Sequence, residues 1–380
     1  DVHGRESERA GSAKLLPLSR TIAGVSGAVT RKLFGEISTR SGPRASIISA
    51  VAGAIVSMLA AGVISPAAHA QYAVDQILTS PFFDESDIDR LLNGGFAVAK
   101  LHEVSDRELA VTIACLVDLA PEEALRPFLG DSLPVDEEHL VAQLLIDTDD
   151  PEASFESITL SNNARKEIER YLRAEPGFGL NLSEEELSRL NDLRGSGGPA
   201  QVEDFVEDAL LGRYRAYRQA GLAGAKPYAR ENGEFVMPGE ELRISEQRMT
   251  GLYELFPEFH DAWLGYPAVQ PEGITHDDYF WVELEVEDRP TFLLSHRLAS
   301  VTDEKHVIGI RDYYASHFFD VAQRTVAVAE IESGERVLVY QERAWVDFWS
   351  GFAKVKRRMG RKVLTRQMEH LLSDRGICGT

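Results

Sequence analysis

A run of strand patterns followed by one long amphipathic helix constrains the fold of this 380-residue chain more than any other feature. Apolar and mostly acidic residues alternate over residues 279–287, with the period of two that is typical of a half-buried strand. Because one face of this strand is apolar and the other acidic, we expect an antiparallel sheet that is wet on one side. Further strands are predicted over residues 292–298, 306–314, 324–331 and 336–346.

The closing segment predicts a helix from about Phe348 to Leu372. Burial of an apolar stripe is the main source of stability for such a helix, so we expect its stripe to face the concave side of the sheet. The stripe consists of Phe348, Phe352, Val355, Met359 and Val363. The other side of the helix carries seven positive charges: Lys354, Lys356, Arg357, Arg358, Arg361, Lys362 and Arg366.

A strand and a short helix lie far upstream of this region. Apolar side chains alternate over residues 109–117. Pro121, Glu122 and Glu123 then have the composition of the first turn of a helix. We expect the 109–117 strand to join the same sheet as residues 279–347.

Residues 135–256 are predicted to be mostly helical and acidic. Ser183 and Glu186 form a capping box at the start of one helix. A later amphipathic helix carries Tyr214 and Tyr217 at helical spacing. Two interpretations of the tyrosines stay open: they belong to the core, or they form a surface with the neighbouring arginines that stacks on rings or pairs with anions. Those arginines are Arg213, Arg215 and Arg218.

The order of these elements resembles the START-like, helix-grip superfamily, in which a curved sheet wraps the last helix and an apolar ligand lies between them. The resemblance implies an α+β fold: a curved antiparallel sheet wrapped around a long C-terminal helix, with a large mostly helical insertion. It covers the first strand, the short helix and residues 279–372. Residues 213–230 also resemble a segment of uncharacterised exported bacterial proteins, which implies no activity.

Four segments are therefore expected along the chain. Residues 1–70 form an export leader, and residues 71–134 supply the first strands and the short helix of the core. Residues 135–256 form the helical insertion, and residues 257–380 supply the sheet and the closing helix. No second membrane-spanning segment is predicted from the sequence.

The leader has a basic stretch, an uncharged apolar run over residues 47–64, and then Ala68-His69-Ala70, which fits a signal-peptidase site. We therefore expect a signal peptide, cleavage near Ala70, and a periplasmic or secreted protein. An uncleaved anchor is the alternative, because the apolar run is close to the lower limit for crossing a bilayer. Residues 30–34 resemble a twin-arginine motif with lysine in its second place, so export in the folded state stays open beside general secretion.

Charge and cysteine content narrow the partners and the compartment. The formal net charge of −21 at pH 7 repels nucleic acid and anionic membranes, so neither is expected as a general partner. The two cysteines are Cys115 and Cys378, and an oxidising compartment permits a bond between them. Because Cys115 occupies an apolar strand position, we expect a buried free thiol instead.

No motif predicts a catalytic residue, a metal site or a cofactor. Ser316 is adjacent to His317, but neighbouring strand residues point to opposite faces, so these two side chains are not expected to meet. The spacings typical of zinc and calcium sites are absent. The densest polar group of the strand region consists of His296, Arg311, Tyr313, Tyr314, His317 and Asp320. It is a proton-transfer group near neutral pH, or its members are solvated loop residues or core residues with satisfied hydrogen bonds.

The leading hypothesis is a non-catalytic exported protein that binds or carries an apolar small molecule, such as a lipid, between the sheet and the C-terminal helix. A pocket enzyme of cyclase or hydrolase type and an envelope interaction protein without a ligand cavity are the alternatives. The expected ligand-binding residues are Phe280, Leu284, Phe292, Leu294, His296, Val328, Phe352, Val355 and Met359.

The basic side of the closing helix has two interpretations. Its charges pair internally with the acidic face of the sheet, or they contact an anionic component of the cell envelope. The acidic face consists of Glu283, Glu285 and Glu287, and the residues expected to make the anionic contact are Arg357, Arg358 and Arg361.

Overall fold

The computed structural model describes residues 83–135, 137–160, 164–177, 179–195, 197–249, 251–270, 272–331, 334–346 and 353–378. These residues form an α+β fold with one large antiparallel sheet and several helices. The expected leader, Phe348 and Phe352 lie outside them.

Period-two segments become strands, and segments with capping signals or helical periodicity become helices. The strands are β1 (Ala97–Lys100), β2 (Glu108–Val117), β3 (Leu140–Leu145), β4 (Tyr228–Ala229), β5 (Phe235–Val236), β6 (His276–Val286), β7 (Arg289–Val301), β8 (His306–Ala315), β9 (Val321–Glu330) and β10 (Arg336–Trp345). The helices are α1 (Glu85–Leu92), α2 (Pro121–Leu125), α3 (Pro151–Phe155), α4 (Ala164–Leu172), α5 (Glu184–Leu193), α6 (Pro199–Ala220), α7 (Pro238–Gln247), α8 (Leu252–Leu255), α9 (Pro257–Gly265) and α10 (Ala353–Asp374).

The sheet joins strands from both ends of the described chain. Its order is β1-β2-β10-β9-β8-β7-β6-β3, and every neighbouring pair is antiparallel. Strand β2 pairs with β10 in a register that sets Val111 opposite Glu342. The prediction that the 109–117 strand belongs to the same sheet as the later strands is confirmed.

Both faces of the sheet are covered, so the expectation of one wet face is wrong. Every residue of β7 from Pro290 to Ser300 is buried. The face with Trp281, Phe292 and Leu294 packs against helix α6, and we call it the α6 face. The helical block of residues 135–256 therefore supplies a second covering layer, which alternation along one strand cannot reveal.

The opposite face packs against the C-terminal helix α10, and we call it the α10 face. Met368 and Leu372 of α10 lie in one buried cluster with Ile113, Val282 and Ile310 of the sheet.

Among the described helices, none has both the length and the apolar composition needed to cross a membrane.

Cys115 and Cys378 form a disulfide bond between β2 and the segment that follows α10. Their Cα atoms are 5.8 Å apart, which lies within the usual range for such a bond. The expectation of a free buried thiol at Cys115 is therefore wrong. Both sulfur positions are buried, because Ile377 and Cys378 fold back onto the α10 face after the helix ends.

The middle block, residues 135–256, contains a predicted helix start and a strand that was not predicted. The capping box of Ser183 and Glu186 is present at the start of α5, as predicted. Residues 140–145, which fall in the block expected to be mostly helical, instead form β3 at the edge of the sheet.

Strands β6 and β7 are joined by a two-residue turn. Its residues, Glu287 and Asp288, have positive φ angles of 53° and 59°.

Candidate functional site

His296 lies at the centre of an enclosed polar group on the α6 face. The residue is fully buried, and its Nδ1 lies 3.0 Å from the hydroxyl oxygen of Tyr217 on α6. Its Nε2 lies 2.9 Å from Oδ1 of Asp277, whose side chain is 37% exposed. The order of carboxylate, imidazole and phenol is that of an acid–base relay in which each member orients the next.

Aromatic rings enclose the imidazole of His296. The ring of Tyr279 stacks parallel to it with 4.6 Å between centroids, and the two residues are direct partners across β6 and β7. The centroids of Tyr266 and Trp263 lie 4.5 Å and 4.9 Å away, and that of Tyr217 lies 5.6 Å away. We call His296, these four rings and Asp277 the His296 box.

Burial keeps His296 and Tyr217 of the His296 box neutral. It lowers the pKa of His296, although the hydrogen bond that His296 donates to Asp277 acts in the opposite direction. Burial also raises the pKa of the Tyr217 phenol. A neutral imidazole donates through Nε2 to Asp277 and accepts through Nδ1 from Tyr217. Because Tyr217 has no exposed surface, a substrate cannot reach this phenol in the observed conformation.

Hydrogen bonds continue from the His296 box through the interior. Arg311 is fully buried, and its Nη1 donates to the Tyr217 hydroxyl at 3.1 Å. Its Nε donates to Oε1 of Gln323 at 2.8 Å, and the Gln323 amide donates to Glu246. Glu246 in turn bonds Nδ1 of His260 at 2.6 Å. These groups satisfy one another, as buried polar groups must if they are to avoid a desolvation penalty.

Buried ion pairs fix the helical layer to the same face. Arg213 lies 2.5 Å from Glu186, and Arg230 lies 2.7 Å from Asp320. The Arg213 guanidinium also stacks over the ring of Tyr314 at 4.2 Å. Removing one member of such a pair costs about 3–5 kcal/mol, because the other charge is left buried without its partner. Asp320 and Tyr314 of the predicted polar group therefore have clear structural roles.

Ser316 and His317 contact each other, so the expectation that they point apart is wrong. The Ser316 hydroxyl lies 2.9 Å from Nδ1 of His317, and Nε2 of His317 lies 3.1 Å from the hydroxyl of Thr291. Strand β8 ends at Ala315, so the alternation rule does not apply to the two residues that follow. Burial lowers the pKa of His317 well below its usual value, and the nearby Arg289 adds to the shift.

The Ser316–His317 pair does not line an open site. Both residues are almost completely buried, and the backbone N–H of Phe292 donates to the Ser316 oxygen at 3.0 Å. The pair thus closes the end of β8 against β7. The next residue, Phe318, has a φ angle of 71°, which is an uncommon backbone conformation for a residue other than glycine.

The expected ligand-binding residues are divided between the two faces of the sheet. His296 lies in the His296 box, and Val355 belongs to α10. Met359 is half-buried on α10. Phe292 and Leu294 pack on the α6 face, whereas Phe280, Leu284 and Val328 pack on the α10 face. One cavity between the sheet and α10 would not hold them all, because neighbouring strand residues face opposite sides.

The basic side of α10 is partly paired within the protein. Arg361 bonds both carboxylate oxygens of Glu103, at 2.7 and 2.6 Å. Arg357 lies 3.5 Å from Glu103 and also bonds Asp106. These partners precede β2 and are not the acidic residues of β6. Arg358 is exposed.

The pockets seen in the described residues lie away from α10. A shallow groove of about 390 Å³ lies on the outer side of α6. It is lined by Pro151, Tyr214, Arg215, Arg218 and Gln219. A small void of about 10 Å³ lies between α6 and the sheet, with Phe205, Phe292 and Tyr314 among its walls. The void has room for at most about one water molecule, so it cannot hold a lipid.

Tyr214, Tyr217 and the arginines near them form both core and surface. Tyr214 and Tyr217 are buried, and so is Arg213. Arg218 donates to the Tyr214 hydroxyl at 3.2 Å, and Arg215 pairs with the exposed Glu152.

Within the described ranges, no three His, Cys, Asp or Glu side chains come together as ligands for a metal ion.

Sequence reasoning missed most of the His296 box. Asp277, Tyr279, Trp263 and Tyr266 were not among the expected site residues, although all four surround or bond His296.

No family model matches this chain, and no curated protein matches its sequence.

Proposed function

We propose that this chain is a non-catalytic exported protein that acts through its surface, by contact with an anionic surface of the cell envelope. The contact is made by a row of bases on α10. This is the envelope-interaction alternative, and one observation carries it. Arg358, Lys362 and Arg366 are exposed, and no pairing partner is seen for them among the described residues.

The spacing of these bases supports a single contact surface. They recur every four residues along α10, so they fall on one side of the helix and extend over about 12 Å. We call them the basic stripe. In a chain with a net charge of −21, these three bases, for which the described part of the chain shows no partner, provide a local attraction to anions that the rest of the surface opposes.

The expected strength of the contact is moderate. Each Lys or Arg near an anionic lipid surface contributes about 1 kcal/mol, so the basic stripe contributes about 3 kcal/mol. Attraction of this kind decays over a Debye length of about 8 Å at physiological salt, so it orients the protein and releases it readily. Among anionic surfaces we favour lipid headgroups, because the stripe is a short and straight row that fits a flat surface.

The two pockets and the His296 box support a surface role over a carrier or an enzyme. The groove and the void of the described part do not lie between the sheet and α10. The acid–base groups of the His296 box bond one another and are buried, apart from Asp277. Export is supported by the disulfide of Cys115 and Cys378, since such bonds persist in oxidising compartments.

A helix-grip relationship between sheet and closing helix is part of the proposal. Its support is the contact of α10 with strand β2 and the burial of Met368 and Leu372 in one cluster with residues of the sheet. The layer of α6 on the opposite face is an addition to the minimal helix-grip pattern. A carrier of apolar molecules would need a chamber on the α10 face, and mass spectrometry of co-purifying molecules would detect its cargo.

Vesicle binding tests the proposal. We expect the protein to co-sediment with phosphatidylglycerol vesicles at low salt and to dissociate from them as salt is raised. It should not co-sediment with phosphatidylcholine vesicles. The variant Arg358→Gln/Lys362→Gln/Arg366→Gln should lose binding. The control Arg165→Gln/Lys166→Gln/Arg173→Gln removes the same charge from exposed sites around α4 and should bind normally. Equal binding by both variants, or binding only to a soluble anionic polymer, would refute the lipid contact.

A further inference from the structure

Strand β3 forms one edge of the sheet. It pairs with β6 on one side, and no other described strand pairs with it on the other. An edge strand presents unpaired N–H and C=O groups, and these accept a strand from another chain. The docking of such a strand is called β-augmentation.

The side chains of β3 also favour docking. None of its six residues is charged, although natural edge strands usually carry charge or proline that prevents such pairing. Val141, Leu144 and Leu145 are exposed by 38%, 38% and 37%. These three account for a large part of the exposed large apolar residues of the described chain.

The opposite edge of the sheet is protected in the usual way. Strand β1 has four residues and ends at Lys100, and Ala97 and Ala99 are buried. Leu91 of helix α1 packs in the same buried cluster as these two alanines. The open character of β3 is therefore a local property and not a general feature of this sheet.

Charges on both sides of β3 select the occupant. Five acids flank the strand, and all of them are exposed: Glu137 and Glu138 before it, and Asp147, Asp149 and Asp150 after it. Glu137 also pairs with Arg375 at 3.2 Å, and Asp150 accepts from the N–H of Ala153 at the start of α3. Two copies joined edge to edge by a twofold axis would pair antiparallel. The acids before β3 in one copy would then face the acids after β3 in the other. Like charges in opposite positions disfavour that dimer.

We propose that the β3 edge binds an extended segment of another protein that has apolar residues in its centre and Lys or Arg at both ends. The main-chain groups of β3 supply hydrogen bonds, Leu144 and Leu145 supply apolar contact on the two sides of the strand, and the flanking acids pair with the basic ends. This site is separate from the basic stripe, and neither proposal depends on the other.

A peptide of matching pattern tests the site. The probe is a fluorescein-labelled peptide with alternating Val and Thr in its centre and a pair of Lys at each end, measured by fluorescence anisotropy with the purified protein. We expect saturable binding that weakens as salt is raised. A peptide with Glu in place of each Lys should bind at least about tenfold more weakly.

Backbone methylation separates β-augmentation from simple ionic attraction. Methylation of alternate peptide N–H groups on the edge that faces β3 removes hydrogen bonds and keeps the charge. We expect it to weaken binding by at least about tenfold. Unchanged binding of the methylated peptide would overturn the proposal, because the contact would then depend on charge alone.

Substitutions in the protein locate the site. Leu144→Lys and Leu145→Lys place a positive charge at exposed positions of β3 and should reduce peptide binding by about tenfold or more. Val269→Lys makes the same change at another exposed apolar residue and should bind normally. Circular dichroism and urea unfolding show whether each variant is folded. Normal binding by folded Leu144→Lys and Leu145→Lys, or a dimer in sedimentation velocity that either variant abolishes, would overturn the proposal.

Discussion

The hydroxyl oxygen of Tyr217 lies 3.0 Å from Nδ1 of His296, and this contact joins helix α6 to strand β7. Arg311 donates to the same oxygen at 3.1 Å. In Tyr217→Phe both partners lose a hydrogen bond at a site without solvent. We expect the free energy of unfolding to fall by about 1–3 kcal/mol in urea denaturation.

Tyr214→Phe is the matched control for this substitution. Tyr214 lies one turn earlier on α6, and its hydroxyl accepts from the exposed Arg218 at 3.2 Å. Because water can replace that partner, the expected loss is below about 0.5 kcal/mol. Equal losses in the two variants would show that the buried hydrogen bonds of Tyr217 contribute no more to stability than the exposed hydrogen bond of Tyr214.

Glu283 makes stability depend on pH in an unusual direction. Burial raises the pKa of this carboxyl to about 7, and the like charge of Glu285 adds to the effect. Below about pH 4.3 the group is protonated in both the folded and the unfolded chain, so it contributes nothing. Between about pH 4.3 and 7 the unfolded chain loses its proton first. Stability therefore falls as pH rises through this window and levels off above it.

Glu283→Gln should remove that dependence. The variant is expected to match the wild type near pH 4 and to be more stable at pH 8 by about 1–3 kcal/mol. Urea unfolding at the two pH values measures the difference. Glu287→Gln, at an exposed residue of the nearby turn, should follow the wild type at both. A Glu283→Gln variant with no gain at pH 8 would show that the carboxyl is solvated.

Reduction of the disulfide should destabilise the protein. Cys115 and Cys378 close a loop of 263 residues, and the loss of such a bond costs about 2–5 kcal/mol. We expect the midpoint of urea unfolding to fall with dithiothreitol and in Cys115→Ala/Cys378→Ala, and the double variant to be insensitive to reductant. A thiol assay that finds two free cysteines in the native protein would contradict the bond.

The turn between β6 and β7 should accept a stabilising change. Glu287 and Asp288 both adopt positive φ angles, which Asn and Gly adopt more readily. Glu287→Asn/Asp288→Gly should raise the free energy of unfolding by about 0.5–1.5 kcal/mol. Gly334→Ala tests the reverse effect at a position with a φ angle of 85° and should lower it. A gain for both changes would indicate that backbone strain is not the cause.

Local patterns predicted the sheet well. The period-two alternation of residues 109–117 identifies β2, and the Ser183–Glu186 capping box marks the start of α5. The expectation that β2 joins the sheet of the later strands came from the order of elements in a resembling fold, and it did not name β10 as the partner. Alternation does not show what covers the polar side of a strand, because His296 and Arg311 alternate with apolar residues just as solvated residues would.

The missing members of the His296 box could have come from a single turn. If Glu287 and Asp288 are taken as a two-residue hairpin turn, Tyr279 falls directly opposite His296. The sequence Glu-Asp lacks the Asn-Gly signal of such a turn, so this register was not apparent. Trp263 and Tyr266 approach from α9 and the residue after it, and no local pattern predicts that packing.

Strand β3 escaped prediction for a different reason. Its sequence, Leu-Val-Ala-Gln-Leu-Leu, has no period of two, because both faces of a strand at the edge are only partly covered. The same property that hides β3 from pattern analysis leaves Leu144 and Leu145 exposed.

The pairing of β2 with β10 determines when the sheet can be completed. Glu108 and Arg343 form a buried ion pair at 2.5 Å, yet they are 235 positions apart in the chain. At ribosomal rates of about 5–20 residues per second, β2 is made on the order of ten to fifty seconds before its partner. During that interval the apolar residues of β2 are exposed and prone to aggregate. Pairing between strands so far apart in sequence is also slow in itself. We therefore expect newly made chains to rely on a holding chaperone until β10 arrives.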